Sequence, residues 1–332
     1  MSAGSAYFGS RMPRHVGADM ERLAELGFTG VLHTFSENDL AWYRGTMIEL
    51  VRLSHAAGLE VQIGPWGLGG LFGGEADTML AARHPECAQV LADGRWTPAA
   101  CPSHEVTRAF LRDWIDAAVE TGAQRIFCDE PHWVHPEHWG MEAEAWGCRC
   151  EGCRRRFAEE YGMSMPTEFT DEVRAFREDG LVDFIGSFVS EVHARGARPA
   201  VCLLPITGGR HGIGDWSRVA RLPGLDTFGT DPYWKCFDEP AEAFVRAYAQ
   251  RVVELAGQYA VRPQIWIQGF RLDRADLDAV RAAVRVAREE GIEDLWVWAY
   301  EACGHMSALA GDDPPALWDT LVEEITGAGV KG

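Results

Sequence analysis

The sequence predicts a closed (β/α)₈ barrel, the TIM barrel, in which parallel strands alternate with helices. Short apolar runs alternate with segments of helical periodicity, and the runs are apolar on both faces, as in strands covered by helices. Eight such units favour a closed barrel over a doubly wound sheet, and the first turn, SRMPRH, lacks the glycine-rich phosphate motif of such sheets. The predicted strands span 6–9, 30–34, 60–64, 125–129, 199–204, 226–230, 264–268 and 294–299.

The segments between the strands have the periodicity and the ends of helices. After the third strand, for example, an apolar i, i+4 series is formed by Val106, Phe110, Trp114 and Ala118. A glycine precedes most of the strands, as expected where a helix ends. Two connections, 65–104 and 131–170, are long, and we expect them to form walls of the active-site face. Residues 1–332 are therefore expected to form a single barrel domain.

The composition narrows the class of protein. The formal net charge is −19, and so acidic a surface repels nucleic acid and anionic membranes. The N-terminus lacks the apolar core of a signal peptide, and no run of about 18 apolar residues occurs. Nine cysteines, an odd number in a large chain, favour free thiols or a metal site over disulfides. We expect a soluble, cytoplasmic protein with no organic cofactor, and a homo-oligomer is compatible with its charge.

Carboxylates follow three of the predicted strands. Glu130 lies in FCDEPHW after the fourth strand, Asp231 in GTDPYW after the sixth and Glu301 in WAYEACG after the eighth. The C-terminal ends of barrel strands meet at one mouth, and carboxylates crowded there push each other's pKa apart. A proton donor beside a nucleophile or base is what hydrolysis of a glycosidic bond requires. Either Asp231 or Glu301 could pair with Glu130, and the two roles could be distributed either way.

Other residues near the strand ends are candidates for contacts with a small saccharide. Aromatic rings can stack on a sugar face, and polar side chains can bind its hydroxyl groups. Residues 67–74, GLGGLFGG, lack a phosphate-loop ending and are interpreted as a flexible pocket wall. The candidate contacts are His33, Glu37, Trp66, Asp129, His132, Trp133, Tyr233, Trp234, Gln268, Arg271, Trp298 and Tyr300.

A cluster of cysteines indicates a structural metal site. Cys148, Cys150 and Cys153 lie within six residues and can converge on one zinc ion, which needs a fourth ligand. Cys87 and Cys101, both in the other long connection, are the candidates for that ligand. The alternative is three thiols without metal. A closed four-cysteine site would be structural, because it leaves no open position for catalysis.

Two segments resemble the family 42 β-galactosidases, which are TIM-barrel glycoside hydrolases of clan A. RHPECAQVLADGRW…ACPSHEVTRAF (83–110) resembles their HPE segment, "DG" turn and Cys-Pro, and CRCEGCRRRFAEEYG (148–162) resembles their Cys-x-Cys-x-x-Cys segment. The resemblance covers about residues 83–162. It implies a structural zinc held by Cys101, Cys148, Cys150 and Cys153.

The same resemblance implies the role of one strand-end residue. Glu130 corresponds to the family's acid/base, while Asp129 stands where the family has Asn and Gln268 stands nearest to its nucleophilic Glu. We therefore expect a distant relative that hydrolyses a glycosidic bond with a rearranged pair of carboxylates. One alternative is a metal-dependent sugar isomerase or epimerase, and the other, favoured by Gln268, is a barrel that binds carbohydrate without cleaving it.

Overall fold

A computed structural model describes residues 2–135, 140–142, 144–206 and 212–327. Eight parallel strands close into a barrel in the order β1-β10-β9-β8-β7-β6-β3-β2. The barrel strands are β1 (Ser2–Tyr7), β2 (Gly30–Thr34), β3 (Glu60–Gly64), β6 (Arg125–Asp129), β7 (Arg198–Leu203), β8 (Thr227–Thr230), β9 (Arg262–Gln268) and β10 (Asp294–Trp298). An antiparallel hairpin outside the barrel consists of β4 (Ala88–Val90) and β5 (Trp96–Ala100).

Helices follow each barrel strand, as the sequence predicted. They are α1 (Pro13–Glu25), α2 (Glu37–Trp42), α3 (Arg44–Ala56), α4 (Leu80–Arg83), α5 (Glu105–Glu120), α6 (Glu151–Tyr161), α7 (Asp171–Ala194), α8 (Ser217–Ala220), α9 (Ala241–Tyr259), α10 (Leu277–Glu289) and α11 (Pro314–Thr326). The helix after the fifth barrel strand, α8, is a single turn. None of the described helices combines the length and apolar character that a membrane span requires.

The first strand begins four residues before the predicted position. Its early residues are small, and they are buried against a large neighbour rather than forming an apolar run. An ideal Cβ on Gly4 would lie only 2.2 Å from the ring of Trp296, so the glycine makes room for that indole. The side chain that fills this part of the barrel therefore belongs to β10. The sequence of β1 alone does not indicate it.

Large side chains fill the middle of the barrel. Phe127, Trp266 and Trp296 are almost completely buried there, with the Trp266 ring 5.2 Å from Phe127 and 5.3 Å from Trp296. Below them, the indole of Trp296 donates to Asp294 at 2.8 Å. Side chains of one strand face the barrel interior at alternate positions, so Phe127 and Asp129 of β6 point the same way. This alternation brings Asp129 to the C-terminal mouth.

Candidate active site

The C-terminal mouth of the barrel contains a cavity of about 690 Å³. Strand ends form its base, and the connection after β3 forms one wall. Its described lining includes Phe72, Gly73, Glu75, Asp77, Asp129, Glu130, His132, His135, Leu204, Ile206, Asp231, Tyr233, Cys236, Phe237, Phe270 and Trp298. In barrels of this kind the reacting groups lie at this face, so we take the cavity as the candidate active site.

A second cavity, of about 480 Å³, opens at the N-terminal end of the barrel, where Glu60, Arg198 and Arg262 contribute to its lining. Glu60 forms ion pairs with Arg198 and with the fully buried Arg125. Glu60 and Arg198 in this lining therefore neutralise each other. Residues at this face of a barrel contribute to stability rather than to catalysis.

Glu130 has a backbone conformation that is rare for its residue type. Its φ of 42° lies in the left-handed region, and its amide donates to the carbonyl of Cys202 at 3.0 Å. His132, two residues further along, lines the cavity, and its Nδ1 donates to the carbonyl of Glu130 at 2.6 Å. Strained residues of this kind are retained where the surrounding structure fixes them, and they cluster at functional sites.

Asp231 lies directly beside Glu130. It follows β8, is 3% exposed, and shares a side-chain hydrogen bond with Glu130. Its Oδ1 is buried and has no hydrogen-bond partner. Burial first, and then the charge of Glu130 and the hydrogen bond, raise the pKa of Asp231 well above the usual range for aspartate. A proton is therefore retained at this pair under conditions in which an isolated aspartate would be ionised.

Asp129 belongs to the same group of carboxylates. Burial and the charges of Glu130 and Glu75 raise the pKa of Asp129 well above its usual value. Gly73 lies against both strand-end residues: an ideal Cβ there would be 2.3 Å from Oε2 of Glu130 and 3.2 Å from Oδ2 of Asp129. Its amide also donates to the carbonyl of Asp129 at 3.1 Å.

The connection after β3 adds residues that the sequence reasoning missed. Glu75 reaches the cavity, and Oε2 of Glu75 accepts a hydrogen bond from the indole of Trp66 at 2.9 Å. Trp66 in turn stacks on Phe8 at 5.2 Å. An acidic residue immediately after GLGGLFGG was the available signal for Glu75, but the position of a side chain in an irregular connection does not follow from periodicity.

The structure brings about half of the predicted site residues together. Asp129, Glu130, His132, Asp231, Tyr233 and Trp298 line the cavity. Trp66 lies at the edge of the cavity, where its indole donates to Glu75. His135, Cys236, Phe237 and Phe270 line it as well and were missed. His135 forms an edge-to-face ring contact with His132 at 4.6 Å, and Phe270 forms one with Tyr233 at 5.2 Å.

Three predicted substrate contacts, His33, Trp133 and Tyr300, have side chains that face the helices and not the cavity. His33 is fully buried and contacts Ser54 of α3 through Nε2 at 2.8 Å, and burial lowers the pKa of His33 to about 3. Trp133 is buried and donates to the carbonyl of Arg177 in α7 at 2.9 Å. Tyr300 is buried and donates to Asp19 of α1 at 3.3 Å.

Three more of the predicted substrate contacts bind or pack against other parts of the protein and do not line the cavity. Glu37 fixes the connection after β3 by accepting from the amides of Gly69 and Met79 at 3.0 and 2.9 Å. Trp234 is buried in the core outside the barrel. Gln268 is fully buried, accepts from the amide of Lys235 at 3.1 Å and donates to the carbonyl of Phe270 at 3.1 Å.

Arg271 and Glu301 are near the mouth but outside the described lining of the cavity. Arg271 is exposed, and its Nε donates to the carbonyl of Ala308 at 3.3 Å. Glu301 is exposed and forms a side-chain hydrogen bond with Tyr300, which faces away from the cavity. Glu301 is therefore not in a position to pair with Glu130.

The four cysteines Cys101, Cys148, Cys150 and Cys153 converge in a buried cluster. Their sulfur atoms all lie within 4.8 Å of one another. The Cys101 sulfur is 3.5 Å from Cys153 and 3.9 Å from Cys150. Sulfurs around a tetrahedral zinc would be about 3.8 Å apart, given the usual Zn–S bond length, so the cluster fits such an ion. Cys87 is buried outside the cluster.

The packing at Gly73 predicts that a substitution there lowers activity but has little effect on stability. In a Gly73→Ala variant the new methyl group displaces the carboxylate of Glu130, a flexible side-chain end, so the fold is retained. Displacement of a reacting group by about 1 Å lowers a rate by about 10²-fold. We expect kcat/KM of the Gly73→Ala variant to fall by about 10²-fold with little change in Tm. Gly45→Ala in α3, where nothing lies within 4 Å of the added carbon, is the matched control, and full activity of the Gly73 variant would contradict this packing.

The barrel is similar to solved structures of enzymes that act on carbohydrates. The catalytic domain of β-amylase from Paenibacillus polymyxa matches over 98% of both chains, with a TM-score of 0.68 and 10% identity. The endo-1,4-β-mannanase from Rhizomucor miehei matches over 98% of this chain and 94% of its own, with a TM-score of 0.64 and 10% identity. No family model and no curated protein matches the sequence. At such identities the likenesses establish the shared fold.

Proposed function

We propose that this chain is a glycoside hydrolase in which Glu130 and Asp231 are the reacting pair. The observation that carries the proposal is the direct interaction of these two carboxyls in the cavity at the barrel mouth, where burial, the charge of Glu130 and hydrogen bonding raise the pKa of Asp231. A pair that shares one proton supplies both a proton donor for the leaving oxygen and a carboxylate for the other face of the sugar. The β-amylase and mannanase structures with the same fold, and the resemblance of residues 83–162 to family 42, support this class of reaction.

The surroundings of the pair favour Asp231 as the proton donor. Asp231 is almost completely buried, and burial disfavours its ionised form, whereas Glu130 is only partly buried. Glu130 is therefore proposed as the nucleophile. This is the reverse of the role that the family 42 resemblance implies for Glu130, and it corresponds to a barrel glycosidase with its nucleophile after the fourth barrel strand.

The spacing of the pair supports retention of the anomeric configuration. Retaining enzymes hold the two carboxyls about 5–5.5 Å apart, whereas inverting enzymes need about 6.5–9.5 Å to admit a water molecule. The direct interaction of Glu130 with Asp231 favours the shorter of these two spacings. A sugar that enters between them has to separate them only to the shorter spacing.

The two alternative functions have less support. A metal-dependent isomerase needs a compact set of oxygen and nitrogen ligands, but across the described ranges the only group of at least three potential ligands that clusters tightly is the set of four cysteines. A barrel that binds without cleaving was suggested by Gln268. That amide is used inside the protein, so its replacement of a glutamate does not bear on a reacting pair formed by Glu130 and Asp231.

A panel of aryl glycosides and oligosaccharides tests the proposal. The wild-type protein is expected to release the phenol or a free sugar from at least one member. The double variant Glu130→Gln/Asp231→Asn, assayed beside it, is expected to release none, which excludes a contaminating hydrolase. Absence of turnover by the wild-type protein across both anomers of the common hexoses, hexosamines and pentoses would contradict the proposal.

We also propose that Cys101, Cys148, Cys150 and Cys153 hold one structural zinc ion. The buried sulfurs have suitable spacing, and a cation would stabilise four thiolates that otherwise repel one another. Such an ion would join the connection after β3 to the start of α6, and both segments lead to cavity walls. Its role would be to fix those walls, since a four-cysteine site leaves no position for substrate.

Loss of one ligand is expected to remove the metal. Cys150→Ser should lower the zinc content from one per chain to near zero and lower Tm by about 10 °C, if the site contributes about 3–5 kcal/mol and each kcal/mol corresponds to about 2–4 °C. Metal analysis and thermal unfolding measure both effects. Cys87→Ser, a buried cysteine outside the cluster, is the matched control and should keep its zinc. Unchanged metal content in Cys150→Ser would contradict the site.

A further inference from the structure

The candidate active site contains more carboxyl groups than hydrolysis requires. Five carboxylates line the cavity: Glu75, Asp77, Asp129, Glu130 and Asp231. Neither lysine nor arginine is among the residues described in its lining. A reacting pair accounts for two of the five carboxylates. The other three are therefore available to determine which ligand the cavity binds.

One described cation, Arg271, acts on a carboxylate of this lining. Arg271 acts on Glu75 from the exposed rim, and its own Nε is directed to the carbonyl of Ala308. The two histidines of the lining have other contacts: His132 donates to the backbone of Glu130, and its ring packs on His135. Burial raises the pKa of both Asp129 and Asp231 in the deeper part of the cavity, and a cationic ligand there would favour their ionised forms.

An unpartnered atom independently indicates a ligand that donates hydrogen bonds. Oδ1 of Asp231 is buried, faces no donor, and belongs to a residue that is 3% exposed in the cavity lining. Buried acceptors without a partner are rare in proteins because the lost hydration is not replaced. A ligand with an N–H or O–H group at this position would supply the missing hydrogen bond.

A bare metal ion fits this cavity less well than an organic cation. Metal ligands must surround one point closely, and among the described residues the carboxylates do not form such a group. An ammonium group has three N–H donors and can satisfy carboxylates on several sides. Hydrogen bonds between an ammonium and a carboxylate are also stronger than neutral ones, especially where water is excluded.

We infer that the cavity selects a glycoside whose sugar carries a protonated amino group, that is, a hexosamine unit with a free amine. The inference rests on the proposed glycosidase function and specifies its substrate class. The ammonium would lie among Asp129, Glu75 and the unpartnered oxygen of Asp231, while Trp298 and Phe270 supply apolar walls for the ring. Glu75 and Asp129 thereby determine specificity, and the reacting pair remains Glu130 and Asp231.

Calorimetric titration with three methyl glycosides tests this inference. Methyl glucosaminide is compared with methyl glucoside, which has a hydroxyl in place of the amine, and methyl N-acetylglucosaminide, which is neutral. At about pH 6.5 the amine is protonated, as its pKa is close to that of an α-amino group, about 7.7–8.0. The wild-type protein is expected to bind the glucosaminide at least about tenfold more tightly than either neutral glycoside.

Two variants and one control locate the effect. Asp129→Asn, and separately Glu75→Gln at the exposed rim, are each expected to reduce the preference for the amine severalfold. Glu301→Gln removes an exposed carboxylate outside the described lining and is expected to leave the preference unchanged. Because Glu75 is exposed, its variant is expected to fold normally even if Asp129→Asn does not.

Equal or weaker binding of the glucosaminide, or no binding of any of the three glycosides, would overturn the inference. The result is separable from the test of hydrolysis. If the protein cleaves neutral aryl glycosides and shows no preference for the amine, the glycosidase function is supported and the proposed selectivity for an amino sugar is rejected. Preferential binding of the amine without cleavage of any glycoside would contradict hydrolysis and leave a site for an amino sugar.

Discussion

Replacement of Glu130 by glutamine is expected to lower kcat/KM by on the order of 10⁴-fold on every glycoside that the wild-type protein cleaves. A glutamine amide has nearly the shape of the carboxylate but cannot form the glycosyl ester of a retaining mechanism. The loss should be similar for poor leaving groups and for activated ones such as dinitrophenolate, because attack by the nucleophile is required in both cases.

The matched control for this variant is Glu301→Gln. It makes the same chemical change at an exposed strand-end carboxylate outside the described lining of the cavity, and its kcat/KM should stay within about twofold of the wild-type value, as for other surface positions. Steady-state kinetics on one poor and one activated substrate measure both variants. A Glu301 variant as inactive as the Glu130 variant would contradict the site described above.

Replacement of Asp231 by asparagine is expected to have an effect that depends on the leaving group. With a poor leaving group the proton donor contributes about 10²–10⁴-fold, and the variant should lose that factor. With dinitrophenolate, which departs without protonation, kcat/KM should fall by less than about tenfold. The asparagine also retains the shape of the buried side chain, so the fold is expected to survive the substitution.

The contrast between the two variants decides which residue holds the proton. If Glu130→Gln keeps its activity on dinitrophenyl substrates and Asp231→Asn loses it, the roles are reversed, and Glu130 is the acid/base as the family 42 resemblance implies. Circular dichroism and thermal unfolding of both variants show that the loss arises from the chemistry and not from unfolding.

Most of the barrel could be predicted from the sequence because each strand is a continuous apolar run between helical segments. The early part of β1 is the exception. Gly4 is buried beneath the Trp296 ring, so the early part of β1 contributes space and not apolar side chains. A contact between the first and the last barrel strand cannot be recognised from the local pattern of either one.

The strand-end carboxylates could be predicted for the same reason, but the direction of individual side chains could not. Asp129 faces the cavity, and in β2 the adjacent Leu32 belongs to the cluster inside the barrel while His33 faces α3. Alternation along β2 places His33 on the face opposite to that of Leu32. Gln268 illustrates a different limit, because only tertiary structure shows that its amide is already bound to the backbone.

Glu75 and Cys101 could not be assigned to their sites from local sequence, because each is distant along the chain from the other residues of its site. Cys148, Cys150 and Cys153 are neighbours in sequence, whereas Cys101 lies in the preceding long connection, and the resemblance to family 42 was needed to choose Cys101 over Cys87. Glu75 enters the cavity from an irregular segment in which neither helical nor strand periodicity applies. Residues of this kind become visible only when the connections between strands are seen in three dimensions.

The most direct test of the central claim is the configuration of the sugar that the wild-type protein first releases. Proton NMR of the anomeric signals, recorded before mutarotation, distinguishes the two outcomes. Because the carboxyls of Glu130 and Asp231 interact directly, the product is expected to have the same anomeric configuration as the substrate. Release of the opposite anomer would contradict it, since inversion requires carboxyls far enough apart to hold a water molecule between one of them and the sugar.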